Sequence, residues 1–152
     1  MANKWSKGEF LPQNWGKYMG SRAKPIIYRS SWEYTMMRLF DNHPNVLGWA
    51  SEPMEIPYCN PLTRRWTVYV PDFIVVYADV VGQKHAEMIE VKPAKENIFA
   101  KRKAGERLSE STKAAQTVNL AKWQAAAKFC AKNGMVFRVA SEDEIFAYQG
   151  RK

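Results

Sequence analysis

Pro71-Asp72 and the later triplet Glu90-Val91-Lys92 are the residues of this chain whose types and spacing can do chemistry together. Alternate residues on a strand share a face, so Glu90 and Lys92 point one way while Ile89 and Val91 point the other. Asp72 heads the apolar run Phe73 to Tyr77, and Ala86 to Val91 follows after a turn at Val81-Gly82-Gln83. If those runs pair as a hairpin, Asp72 lies opposite the end that carries Glu90, and two carboxylates and a lysine converge at one edge. Two carboxylates and a backbone carbonyl can hold Mg²⁺, and the adjacent ammonium can position a water and stabilise charge on an attacked phosphate. That is the chemistry of phosphodiester hydrolysis. Each piece alone is weak, because a same-face Glu90–Lys92 ion pair on an exposed strand, worth about 0.2 to 1 kcal/mol, has the same spacing. The hairpin spacing, the basic segment that follows and the basic chain as a whole join the pieces.

Glu33 is a further acid for such a site. It shares a helical stripe with Met36, Met37 and Phe40, so its carboxylate looks toward the apolar side, where it needs a partner. Ser30-Ser31-Trp32-Glu33 also fits a capping box, in which Glu33 merely bonds the Ser30 amide, and both readings stand. Glu52 reads as a loop or strand-edge residue outside the site.

The elements that must position these groups follow from periodicity. Ser31 to Asp41 is predicted helical, with Ser30 as its cap. Met54 to Tyr58, Arg65 to Tyr69, Phe73 to Tyr77 and Ala86 to Val91 read as strands of an antiparallel meander, punctuated by Asn60-Pro61 and Pro71. Pro93 to Ser111 is charged and poor in large apolar residues, which predicts a loop. Thr112 to Asn133 is the long helix, ended at Gly134, with Val118, Ala121, Ala125 and Phe129 on one face, Trp123 and Cys130 in the core, and Lys122 and Gln116 facing either phosphates or solvent. Met135 to Ala140 reads as a strand, and Ser141-Glu142-Asp143-Glu144 as the cap of a last short helix.

Charge is zoned along the chain. An aromatic arm with Lys4, Lys7, Arg22, Lys24 and Arg29 has Glu9 as its sole acid, and acids then predominate from Glu33 to Glu90. Basic residues return beyond Val91, with no acid between Glu110 and Glu142. The net charge of +8 over 152 residues favours a polyanionic partner, and nucleic acid leads. The length predicts one domain, 31–152, behind an arm at 1–30 that either clamps DNA by stacking and phosphate contact or docks on a larger assembly. No stretch approaches the roughly 18 apolar residues of a membrane span, and no secretory signal is read. Cys59 and Cys130 lie in no metal-ligand or disulfide pattern, and His43 and His85 have no companion ligands, which argues against zinc.

Tyr28-Arg29-Ser30-Ser31-Trp32-Glu33, Trp49 to Tyr58 (WASEPMEIPY), Tyr69 to Phe73 (YVPDF), Ile89 to Pro93 (IEVKP) and Asn119 to Trp123 (NLAKW) carry a resemblance over most of the chain. Together they resemble the head completion nucleases of T-even-like tailed bacteriophages, which are similar to transposon-end-cutting endonucleases with the PD-(D/E)xK core. The resemblance implies an α/β, restriction-endonuclease-like fold: a mixed central β-sheet flanked by helices, with the basic, aromatic N-terminal arm. It implies a Mg²⁺-dependent DNA endonuclease, with Mn²⁺ able to substitute. Glu33 would be the helix-borne acid, Asp72 and Glu90 the metal ligands with the Val91 carbonyl, and Lys92 the motif lysine. Lys24, Arg29, Lys95, Arg102, Lys103 and Lys122 would hold the DNA backbone without reading bases. The implied setting is the host cytoplasm during infection, or the virion, with double-stranded DNA and phage head or portal proteins as partners and packaged DNA ends processed before tail attachment. Two rivals are a non-catalytic head-assembly protein that keeps the nuclease fold, and a junction-resolving or transposition-type endonuclease.

Overall fold

Ser30 opens the first helix by accepting a hydrogen bond from the Glu33 amide at 3.1 Å, the side-chain cap that an unpaired N-terminal amide needs. The computed structural model describes residues 7–92 and 107–141. Along it run β1 (Gly8–Phe10), a 3₁₀ turn (Trp15–Lys17), β2 (Ile26–Tyr28), α1 (Ser31–Asn42), β3 (Val46–Ser51) and β4 (Ile56–Cys59). There follow β5 (Trp66–Tyr69), β6 (Phe73–Ala78), β7 (Lys84–Val91), α2 (Glu110–Lys132) and β8 (Val136–Ala140).

The central sheet is mixed, in the order β3-β6-β7-β8, with β8 parallel to β7 and the other neighbours antiparallel. The β6–β7 hairpin predicted from the sequence is present, with Phe73 opposite Ile89. Asp79 fixes its turn by accepting from the amides of Val81 at 3.0 Å and Gln83 at 2.9 Å. The single meander is not. Among the described residues the strands β4 and β5 pair only with each other, and the edge of the central sheet next to β6 is β3, a strand the sequence pattern does not predict. Two features explain the switch of sheet. Glu52 takes a left-handed φ of 46° just before Pro53, and Pro71, which has no amide to give a ladder, separates β5 from β6.

Each face of the sheet has its own core. Toward α1, Met36, Met37 and Phe40 meet Trp49, Phe73, Val75 and Ile89. Toward α2 and the β4–β5 hairpin, Met88 meets Ile56, Tyr58, Tyr69, Trp123, Ala126 and Cys130. Ile89 and Val91 therefore look toward α1, while Met88 and Glu90 look toward α2, which is the alternation expected of β7.

The N-terminal segment has no visible period, yet it is built into the first core. Phe10 and Ile26 are buried there, and the rings of Phe10 and Tyr18 stand edge-on to Trp49 at 5.7 and 4.8 Å. Asp41, at the end of α1, accepts from the amides of Gln13 at 2.9 Å and Asn14 at 3.1 Å. The long helix α2 begins two residues earlier than the periodicity suggests, capped by Ser109, and Gly134 ends it at φ 70° as expected. Most of the predicted loop after Pro93 and the predicted last helix lie outside the described residues.

Candidate active site

Asp72 and Glu90 meet where β6 begins and β7 ends, because the Phe73–Ile89 register sets them on facing strands. Glu90 is only 8% exposed, an unusual place for a carboxylate. The Tyr69 hydroxyl at the end of β5 donates to Glu90 Oε2 at 2.7 Å, and the Val91 amide donates to Asp72 Oδ2 at 2.7 Å. The two side chains also hydrogen-bond to each other. Burial, then the charge of Glu90, pushes Asp72 up to about 8, and burial also raises Glu90. Two desolvated carboxylates in contact repel when both are ionised, which is why both are raised even with Lys92 nearby. Burial and the neighbouring Glu90 likewise raise Tyr69, which keeps its hydroxyl a donor.

Glu33 reaches this pair from the first turn of α1. Its carboxylate accepts from Ser30 Oγ at 3.2 Å and from the Arg29 amide, while burial and then the charge of Asp72 push it up to about 7. The cap and the site are thus compatible: Ser30 Oγ is held by the main chain of Glu33, and the carboxylate is close enough to feel Asp72.

Two lysines bring positive charge. Lys92 follows the strand, its amide bonded to the Ala140 carbonyl at 2.9 Å, and its charge is felt by both Asp72 and Glu90. Lys122 comes from α2. Its Nζ lies 5.9 Å from the Tyr69 ring centre and 6.0 Å from that of Tyr58, and its charge also reaches Glu90.

Among the described residues no group of three or more His, Cys, Asp or Glu side chains forms a ready metal cage. The donor set is therefore the Asp72–Glu90 pair, with Glu33 one step behind it. That set suits Mg²⁺, a hard cation that takes one or two protein carboxylates and keeps several waters. Raised carboxylates are also what a cation would neutralise on binding. Val91 engages the site through its amide, toward Asp72.

Of the residues predicted from sequence, the fold brings together Glu33, Asp72, Glu90, Val91, Lys92 and Lys122. Arg29 stands beside Glu33 but is ion-paired with Glu52. Lys24 is exposed on the rim of a groove of about 390 Å³ that runs between residues 18–27 and Ala50–Met54. Lys95, Arg102 and Lys103 lie outside the described residues. Tyr69 is the functional neighbour the sequence reading did not single out. The signal was the need of a buried Glu90 for a donor, and Tyr69 is the hydroxyl two residues before Pro71-Asp72.

Residues 43–142 match the family model for the N-terminal domain of TnsA-like endonucleases. The span includes Asp72, Glu90, Val91, Lys92 and Lys122, and Glu33 precedes it. The chain is also 32% identical, over 148 residues, to the head completion nuclease of Enterobacteria phage T4, an alignment that covers 92% of this chain and 93% of that protein.

Proposed function

The chain belongs to the TnsA-like endonuclease family, with the restriction-endonuclease-like α/β fold of that family, and on this footing we propose that it is a Mg²⁺-dependent DNA endonuclease of the PD-(D/E)xK type. The observation that carries the reading is the buried, mutually hydrogen-bonded pair Asp72 and Glu90, with Lys92 two residues beyond Glu90, just past the end of β7.

Ionised, Asp72 and Glu90 would hold the cation, with the Val91 carbonyl as a further oxygen donor and Glu33 completing or orienting the set. Bound there, Mg²⁺ would supply Lewis-acid polarisation of the phosphate and a more acidic water. Lys92 would orient that water and hydrogen-bond the developing charge on the phosphate oxygens. Lys122 and Lys24 would hold backbone phosphates on either side, with Arg29 contributing less because Glu52 already neutralises it. Lys95, Arg102 and Lys103 belong to the same proposal from sequence.

We take the biological role to be the one the phage relative's name gives, a nuclease of head completion, and extend it, on the sequence resemblance, to processing of packaged DNA ends before a tail attaches, in the host cytoplasm or on the virion. Double-stranded DNA is the substrate in this reading, with head or portal proteins as docking partners.

The test is cleavage of linear and supercoiled duplex with Mg²⁺ or Mn²⁺ against an EDTA control. Metal-dependent cutting by the wild type should fall by roughly 100-fold or more in Asp72→Ala and Lys92→Ala proteins of unchanged circular dichroism. Binding without cutting in any metal would overturn the enzymatic reading in favour of a non-catalytic head-assembly role. A strong preference for branched DNA would move the enzyme to the junction-resolving class.

A further inference from the structure

The β4–β5 hairpin has two unlike faces. Ile56, Tyr58 and Tyr69 look inward to α2 and Met88, and Tyr69 carries the bond to Glu90. Trp66 and Val68 look outward, paired with Cys59 and Pro57, and Trp66 is 74% exposed. No strand of the central sheet pairs with this ribbon among the described residues, and no core cluster includes Trp66 or Val68. Tryptophan is enriched at contact surfaces relative to the rest of a protein's exterior.

The chemistry of the tip says which contact. Arg64 and Arg65 precede Trp66, neither has an ion-pair partner among the described residues, and no acid occurs between Glu55 and Asp72. The tip is also well ordered by its own bonds. Asn60 Oδ1 accepts from the Leu62 amide at 2.9 Å, and the Asn60 carbonyl accepts from Arg64 at 2.7 Å, with Arg64 held at a left-handed φ of 60°. Trp66 lies three residue steps along the strand from Tyr69, roughly 10 Å, so the tip extends from the wall of the candidate site itself.

We propose that this hairpin is a DNA-contacting wing of the nuclease, in which Arg64 and Arg65 hold phosphates and Trp66 stacks on an unpaired base. A guanidinium pair matches a polyanion, and an indole with two rotatable bonds loses little freedom when a base covers it. A base is free to swing onto a protein ring only where it is unpaired, so the favoured substrate is duplex DNA with a short single-stranded tail. This inference rests on the nuclease reading and narrows its substrate class.

Binding of the full-length protein in EDTA, to blunt duplex and to the same duplex with a short single-stranded tail, tests it by fluorescence anisotropy of labelled DNA. Trp66→Ala should weaken binding to the tailed DNA by roughly 5-fold or more while leaving the blunt duplex unchanged, and Trp66→Phe should restore most of the loss. Arg64→Ala with Arg65→Ala should make the slope of log affinity against log salt shallower by about 2 on both DNAs. All these residues are at the surface, so the variants should fold as the parent does. The wing is overturned if the wild type does not prefer the tailed DNA, or if Trp66→Ala binds both as the wild type does. Cleavage of blunt duplex by the wild type with Mg²⁺, run in parallel, reads the nuclease proposal separately: cutting with no effect of Trp66 removes the wing alone.

Discussion

Asp72 and Glu90 are held by donors from different elements, the Val91 amide and the Tyr69 hydroxyl, so their relative position is set before any cation arrives. A carboxylate whose pKa is higher folded than unfolded binds more protons when folded, and its support of the fold is lost as pH rises through the folded value. With Glu33 near 7 and Asp72 near 8, the metal-free protein should lose melting temperature steadily from about pH 4.5 to about pH 8. Adding Mg²⁺ at pH 8 should recover it. Asp72→Asn should flatten the curve and raise the metal-free Tm at pH 8 by ~3 °C or more, while abolishing cleavage. A wild-type Tm that stays level across this window, by calorimetry, would show that the acids are not strained by proximity. The tyrosine gives a second test. Since its hydroxyl occupies one oxygen of Glu90 and leaves the other for a ligand, Tyr69→Phe should lower Mn²⁺ affinity about 10-fold by titration calorimetry, with DNA binding in EDTA unchanged. Equal Mn²⁺ affinity in the two proteins would reduce Tyr69 to packing. The two-residue alternation of β7 made the shared direction of Glu90 and Lys92 legible in the sequence. Tyr69 was not legible, because its role depends on β5 leaving the central sheet, and no local pattern encodes that.

At the scale of elements, α1 has two jobs that meet in one helix. Its first turn presents Glu33, and its last turn presents Asp41, only 1% exposed, to the amides of Gln13 and Asn14. Asp41→Ala would leave those two amides without an acceptor, which should cost about 2 to 4 kcal/mol in urea unfolding and speed amide exchange across β1 and β2. A loss well below about 1 kcal/mol would mean that water replaces the carboxylate at no penalty. This anchor explains a limit of the sequence reading. The helices were legible because Met36, Met37 and Phe40, and Val118, Ala121, Ala125 and Phe129, recur at helical spacing, although the fully buried residues of α2 are Trp123, Ala126 and Cys130. The segment from Gly8 to Tyr28 reads as an extended basic and aromatic arm because its strands have three residues each, too short for alternation to register. The strand Val46–Ser51 was missed for a related reason: its register shifts between Val46 and Gly48, so exposed and buried positions do not alternate.

For the whole molecule the governing quantity is the distribution of the +8 charge. Of the acids of the middle region, Glu33 joins the Asp72–Glu90 pair, and Glu52, Asp79 and Glu87 sit in local pairs with Arg29, His85 and Arg138, while the charges of Lys92 and Lys122 reach Glu90. A duplex would therefore meet a positive rim around a small negative centre, which attracts phosphates and leaves a place for the cation. If Lys24, Lys92, Lys122, Arg64 and Arg65, with one more basic group, each neutralise a phosphate, the slope of log affinity against log salt is about −5. Affinity for random-sequence duplex should then fall roughly 10³-fold between 50 and 200 mM salt. Lys122→Ala should take about one unit from the slope, whereas Arg29→Ala should take less, since removing it leaves Glu52 unpaired without freeing a new phosphate contact. The check is anisotropy titration in EDTA at several salt concentrations. A slope shallower than about −2 would mean that the basic surplus of the sequence is spread over surfaces that never meet DNA, and the proposed rim would have to be abandoned.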